Sequence, residues 1–115
     1  MIFPESKVWL YAEPTDMRKA IDGLSLLVAE SMEINPSNGE MFVFFNKKHD
    51  KLKILYWHIN GFIVLYKRLE EESFKIPSNL STTLEVSTRE LGWLLDGLDF
   101  SNIQGHAKLT YSNFY

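Results

Sequence analysis

The stretch EMFVFFNKKHDKLKILYWHINGFIVLYKRL, Glu40 to Leu69, decides how the rest of the chain can be arranged. Three runs rich in aromatic and β-branched residues are separated by two turn signals, which reads as a three-stranded antiparallel meander. Asn60-Gly61 between apolar flanks predicts a two-residue hairpin with positive φ at both central positions. That turn sets Ile59 opposite Phe62, Trp57 opposite Val64, Leu55 opposite Tyr66 and Lys53 opposite Arg68. The first turn, Lys47-Lys48-His49-Asp50, is a looser loop that sets Asn46 opposite Lys51. One face of the meander then carries Phe42, Phe44, Leu55, Trp57, Val64 and Tyr66. The other carries Val43, Phe45, Leu52, Ile54, Tyr56, Ile63 and Leu65. A meander with one wet face alternates apolar and polar residues, and this one is apolar on both. Both faces therefore need a cover, from this chain or from a partner.

Working outward, Val8-Trp9-Leu10-Tyr11 reads as a short strand ended by Pro14. Thr15-Asp16 supplies an N-cap and a first-turn acid. Met17, Ala20, Ile21, Leu24, Leu27, Val28 and Met32 then follow the spacing of an amphipathic helix. Gly23 inside it suggests a close approach of helix to sheet. Asn35-Pro36-Ser37-Asn38-Gly39 ends it as a loop. Beyond the meander, Phe74-Lys75-Ile76 reads as a fourth strand and Ser78 to Glu85 as a polar loop. Ser87-Thr88-Arg89-Glu90 is a capping box opening a second helix, with Leu91, Leu94, Leu95 and Leu98 as its stripe and Gly97 at its stop. The expected fold class is α+β: an antiparallel β-meander sheet of four to five strands with two helices. It forms one domain over residues 1–100, followed by a mobile tail over 101–115.

A chain of 115 residues with 45% hydrophobic content is one ordered domain. No apolar run has the roughly 18 residues of a membrane span, and no leader pattern opens the sequence. The absence of cysteine removes disulfides and thiolate metal sites. A cytoplasmic setting is the expectation. The net charge of −3 hides a local imbalance. From Phe44 to Arg68, six basic residues face one acid, Asp50, a local +5. From Leu69 onward, three basic residues face seven acids. The basic stretch has two readings: an anion-binding footprint, or charges that solvate a hairpin end and block edge pairing.

Catalytic signals are missing. His49, His58 and His106 have no metal-ligand spacing, the six glycines form no phosphate loop, and no serine sits in a nucleophile elbow. Asp16, Asp22 and Asp50 are the carboxylates that a divalent metal would need, but Asp16 reads as a helix-start acid and Asp22 as a surface residue. The expectation is a protein that is no enzyme and holds no metal or cofactor. Recognition is better supported. Tyr56, Trp57 and Tyr66 interleave with Lys53, Lys67 and Arg68, as suits either single-stranded nucleic acid or cation–π packing within the domain. Lys53 opposite Arg68 places like charges together, which destabilises a sheet unless an anion intervenes.

Four ordered motifs carry a resemblance: Pro14 to Leu24 (PTDMRKAIDGL), Phe42 to Phe45, Asp50 to Trp57 (DKLKILYW), and Gly61-Phe-x-x-x-Tyr-Lys-Arg-Leu69. With the Leu94 to Asp99 ending (LLDGLD), they resemble the TnpB-type accessory proteins of the insertion-sequence sixty-six family of bacterial transposable elements, products of a second open reading frame. The resemblance spans Val8 to Leu98. It implies a role in transposition beside a separate transposase, and no catalytic residues to carry over. Family members usually read Arg-Lys-Gly-Phe-Asp-Gly where this chain has Arg18 to Gly23, with Ala20-Ile21 in the middle. Their first hairpin loop is usually arginine-rich, and lysine here offers point charges in place of bidentate forks. The candidate nucleic-acid contacts are Arg18, Lys19, Lys47, Lys48, Lys51, Lys53, Lys67 and Arg68. The expected partners are the element's transposase and DNA at its ends. The alternative is a protein–protein module or homodimer with no nucleic-acid contact.

Overall fold

The computed structural model describes residues 4–77 and 83–99. In chain order these form β1 (Val8–Tyr11), α1 (Ile21–Ser31), β2 (Met41–Phe45), β3 (Lys51–His58), β4 (Gly61–Arg68), β5 (Thr83–Val86) and α2 (Thr88–Leu95). The strands make one sheet in the order β4-β3-β2-β1-β5. The meander is present as β2-β3-β4, antiparallel throughout. The sheet as a whole is mixed, because β1 runs parallel to β2. The cause is α1: a chain that leaves a strand, crosses a face in a helix and returns arrives in the same direction.

The two apolar faces each receive a layer. Leu24 and Val28 of α1 are buried with Phe42, Phe44 and Leu55, and Val64 packs at the margin. On the opposite face, Leu91, Leu94 and Leu95 of α2 are buried with Val43, Phe45, Leu52, Ile54 and Phe74. Each such side chain removed from water contributes roughly 1.5–3 kcal/mol, so both layers hold the sheet.

The first hairpin has its expected register, with Phe45 opposite Leu52 and Asn46 N–H donating to Lys51 O at 3.2 Å. The second is displaced by two residues. His58 pairs with Gly61, Trp57 with Phe62, Leu55 with Val64 and Lys53 with Tyr66. Its tip is Ile59-Asn60, with Ile59 at φ 58° and Asn60 N–H donating to His58 O at 2.6 Å. Packing explains the shift. The observed register sets Trp57 edge-on to Phe62 at 5.0 Å and moves Lys53 away from Arg68 onto the Tyr66 ring. The like charges now opposite are Lys51 and Arg68, and each has an acid nearby, Asp50 at 3.9 Å and Glu70 at 2.9 Å.

Other elements also differ from expectation. α1 begins at Ile21 with no side-chain cap; residues ahead of it form a turn closed by Lys19 N–H to Asp16 O at 3.1 Å. Gly23 makes room for Lys19, whose Cγ lies 3.1 Å from where a Cβ would stand, and not for the sheet. Phe74-Lys75-Ile76 is not a strand, though Phe74 is buried and its N–H donates to His49 O at 2.7 Å. The fifth strand lies instead at Thr83–Val86, within and just beyond the expected loop, and pairs antiparallel with β1. α2 has its capping box, Ser87 with Glu90. It stops at Gly97, φ 82°, where Leu98 N–H reaches Trp93 O and Gly97 N–H reaches Leu94 O, a Schellman arrangement. Leu98 itself is exposed. The expected mobile tail over 101–115 and residues 78–82 of the expected loop lie outside the described residues.

Candidate nucleic-acid interface

The loop between β2 and β3 is built around one side chain. Asn46 Oδ1 accepts from the backbone N–H of Asp50 and Lys51, at 3.1 and 3.0 Å, and its Nδ2 donates to Asp50 Oδ1 at 2.6 Å. This amide bond is the chief reason the Asp50 carboxyl titrates below the ordinary carboxylate range. With His49 at φ 59°, the loop is fixed so that Lys47 and Lys48 project outward, both exposed. Asn46 was not among the expected functional residues; the signal was an Asx side chain opening a turn.

A second segment comes alongside. Thr15 is buried, and its N–H donates to Phe45 O at 2.7 Å, pinning residues 14–18 to the end of β2. Next to it, Asp16 and Arg18 form a bidentate pair, Nη2 to Oδ2 at 2.6 Å. Between the two segments runs an open groove of about 610 Å³, lined by Pro14 to Arg18, Asn46 to Lys48, Lys51 and Tyr66. Four expected cations, Arg18, Lys47, Lys48 and Lys51, therefore share one site.

The other four do not. Lys53 Nζ donates to Met17 O and Lys19 O, both at 2.8 Å, and lies 5.7 Å from the Tyr66 ring centre. Lys67 Nζ crosses to the opposite face and donates to Leu95 O at 2.6 Å, at the end of α2. Arg68 is paired with Glu70, and Lys19 does not line the groove. Two lysines are thus internal tethers. Within the groove, Lys47 and Lys48 make no ion pair among the described residues. Of the expected aromatics, Tyr56 faces the α2 side and Trp57 is engaged by Phe62; Tyr66 remains, 52% exposed.

A family model described as IS66 Orf2 like protein matches residues 6–105, which takes in every element above and the whole groove. The chain belongs to the IS66 Orf2-like family. Membership makes it an insertion-sequence accessory protein and associates it with the transposition machinery of such an element. It is similar to two proteins of Sinorhizobium fredii. One, y4jC, is 32% identical over 98 residues, covering 85% of this chain and 84% of its own length. The other, y4hO, is 33% identical over 98 residues, covering 85% of each. Both carry the name uncharacterized protein, so they establish kinship without an activity. No solved structure matches the chain. Among the described residues no three metal-ligating side chains converge: Asp16 is held by Arg18, Asp50 by Asn46, and Asp22 is exposed on α1. Among the same residues, no helix is long and apolar enough to cross a membrane.

Proposed function

We propose that this IS66 Orf2-like protein is a non-catalytic accessory subunit of transposition that works beside a separate transposase and holds nucleic acid by its phosphates. The observation that carries the reading is the groove, where Arg18 from one segment meets Lys47, Lys48 and Lys51 from another. Lys47 and Lys48 are exposed and unpaired among the described residues, so their charge is available to an anion. Lysines act here as point charges, which favours backbone contact over reading of base edges.

The test is a salt titration of DNA binding by wild type and by a Lys47→Glu/Lys48→Glu/Lys51→Glu variant, on transposon-end and random duplexes. Each neutralised phosphate releases counterions. The variant should therefore lose affinity equally on both duplexes, with a salt slope flatter by about one unit per lost contact. Its thermal stability should stay within about 0.5 kcal/mol of wild type, since all three are loop or strand-end substitutions. Equal affinities and slopes would reduce the lysines to solvating a turn. A second reading is favoured by β4, an edge strand whose apolar residues Phe62 to Leu65 are only half-buried. On that reading the partner is a protein chain laid along the edge, and complete lack of DNA binding at low salt would select it.

A further inference from the structure

The groove contains one feature that phosphate contact does not use. Tyr66 lies on β4, directly opposite Lys53 in the register, and lines the groove beside the cations. The residue is 52% exposed, a large side chain to leave in water. The ring is also backed. Lys53 Nζ stands 5.7 Å from its centre, and that ammonium is fixed in turn by the Met17 and Lys19 carbonyls at 2.8 Å each. An exposed tyrosine backed by a tethered cation, with point charges alongside, is the arrangement that takes an unpaired base. A base within a duplex has both faces covered by its neighbours and presents only edges to a groove. A base in a single strand has a free face, and its stacking on an aromatic ring is tolerant of sequence because every base has a π-face. The one acid in the groove, Asp16, is neutralised by Arg18 and does not oppose a phosphate with an uncompensated charge.

Resting on the phosphate reading above, we infer that the groove is a single-strand site: one base stacks on Tyr66 while the flanking phosphates lie against Lys47, Lys48 and Lys51. The expected ligand is a single-stranded oligonucleotide of any sequence.

The experiment measures fluorescence anisotropy of a labelled oligothymidylate and of a random duplex with the same number of phosphates. Wild type, Tyr66→Leu, Tyr66→Phe and the triple lysine variant are compared at matched salt. Wild type should bind the single strand more tightly. Tyr66→Leu should weaken single-strand binding by roughly five-fold or more, the equivalent of about 1 kcal/mol of stacking, while duplex binding stays within about two-fold. Tyr66→Phe, which keeps the ring, should bind as wild type does. Thermal melting confirms folding of each variant. In the wild-type protein, photocrosslinking of a bromouracil-substituted oligonucleotide should label Tyr66, so the inference does not depend on any variant folding. Crosslinks confined to other residues, or a Tyr66→Leu loss equal for both ligands, would overturn it. If the triple variant still flattens the salt slope in that case, the phosphate reading stands and only the stacking inference falls. Salt-independent binding, or none, would overturn both.

Discussion

The carboxylate of Asp16 accepts four hydrogen bonds from a single residue. Arg18 gives it the backbone N–H at 2.9 Å, Nε at 3.1 and 3.0 Å, and Nη2 at 2.6 Å. The side-chain bonds come first in holding its pKa at about 2, against an ordinary 3.8, and the backbone bond second. A depressed carboxyl stabilises the fold above its ordinary pKa and loses that contribution as pH falls through the folded value. The window here runs from about pH 4 down to about pH 2. Carboxyl carbon shifts followed by NMR should place the Asp16 midpoint near 2, and Arg18→Gln should return it toward 3.8. A wild-type midpoint at the ordinary value would mean that the pair does not persist in solution, leaving Arg18 free for an anion.

At the scale of elements, the β3-β4 hairpin shows where packing outweighs turn chemistry. Ile59 stands at φ 58° and is 82% exposed, an unfavourable conformation for a β-branched residue that costs about 1–2 kcal/mol. Asparagine tolerates that region, and little buried surface would be lost. Ile59→Asn should therefore raise stability by about 1 kcal/mol, or Tm by about 4–8 °C, in a thermal melt. An unchanged or lower Tm would argue that the hairpin relaxes into the turn centred on Asn60-Gly61. The same hairpin explains why so much of the fold was legible. A slip of two residues preserves the side-chain period, so Leu55 and Val64 stay on the α1 face and Ile54 and Leu65 on the α2 face. The Ser87 capping box was legible because it is a local hydrogen-bond pattern. β5 was not: Thr83 to Val86 is four residues long, and pairing with β1 across the chain makes it a strand. Nor was the start of α1: the Thr15 hydroxyl donates to Glu13 O and caps no helix, while its backbone N–H ties the segment to β2 through Phe45 O.

Across the whole molecule, the site was only half legible because sequence cannot tell a free lysine from one used to join layers. Lys47 and Lys53 look alike in the chain; the fold exposes one and ties down the other. Lys53 and Lys67 leave the sheet on opposite faces. Lys53 fastens the segment ahead of α1 through two carbonyls, and Lys67 fastens the last turn of α2 through Leu95 O, where a cation also suits the helix dipole. Charge-assisted bonds of this kind contribute about 1.5–3 kcal/mol each. Replacing either lysine with methionine keeps most of the stem's packing and removes only the tether. Lys53→Met should then speed amide hydrogen exchange in residues 15–23, and Lys67→Met in Thr88–Leu95, each leaving the other layer at its wild-type rate. Mass spectrometry after exchange reads both segments at once. A uniform acceleration across the sheet in either variant would show that the three layers open together, and that the lysines support one cooperative core and not two separable covers.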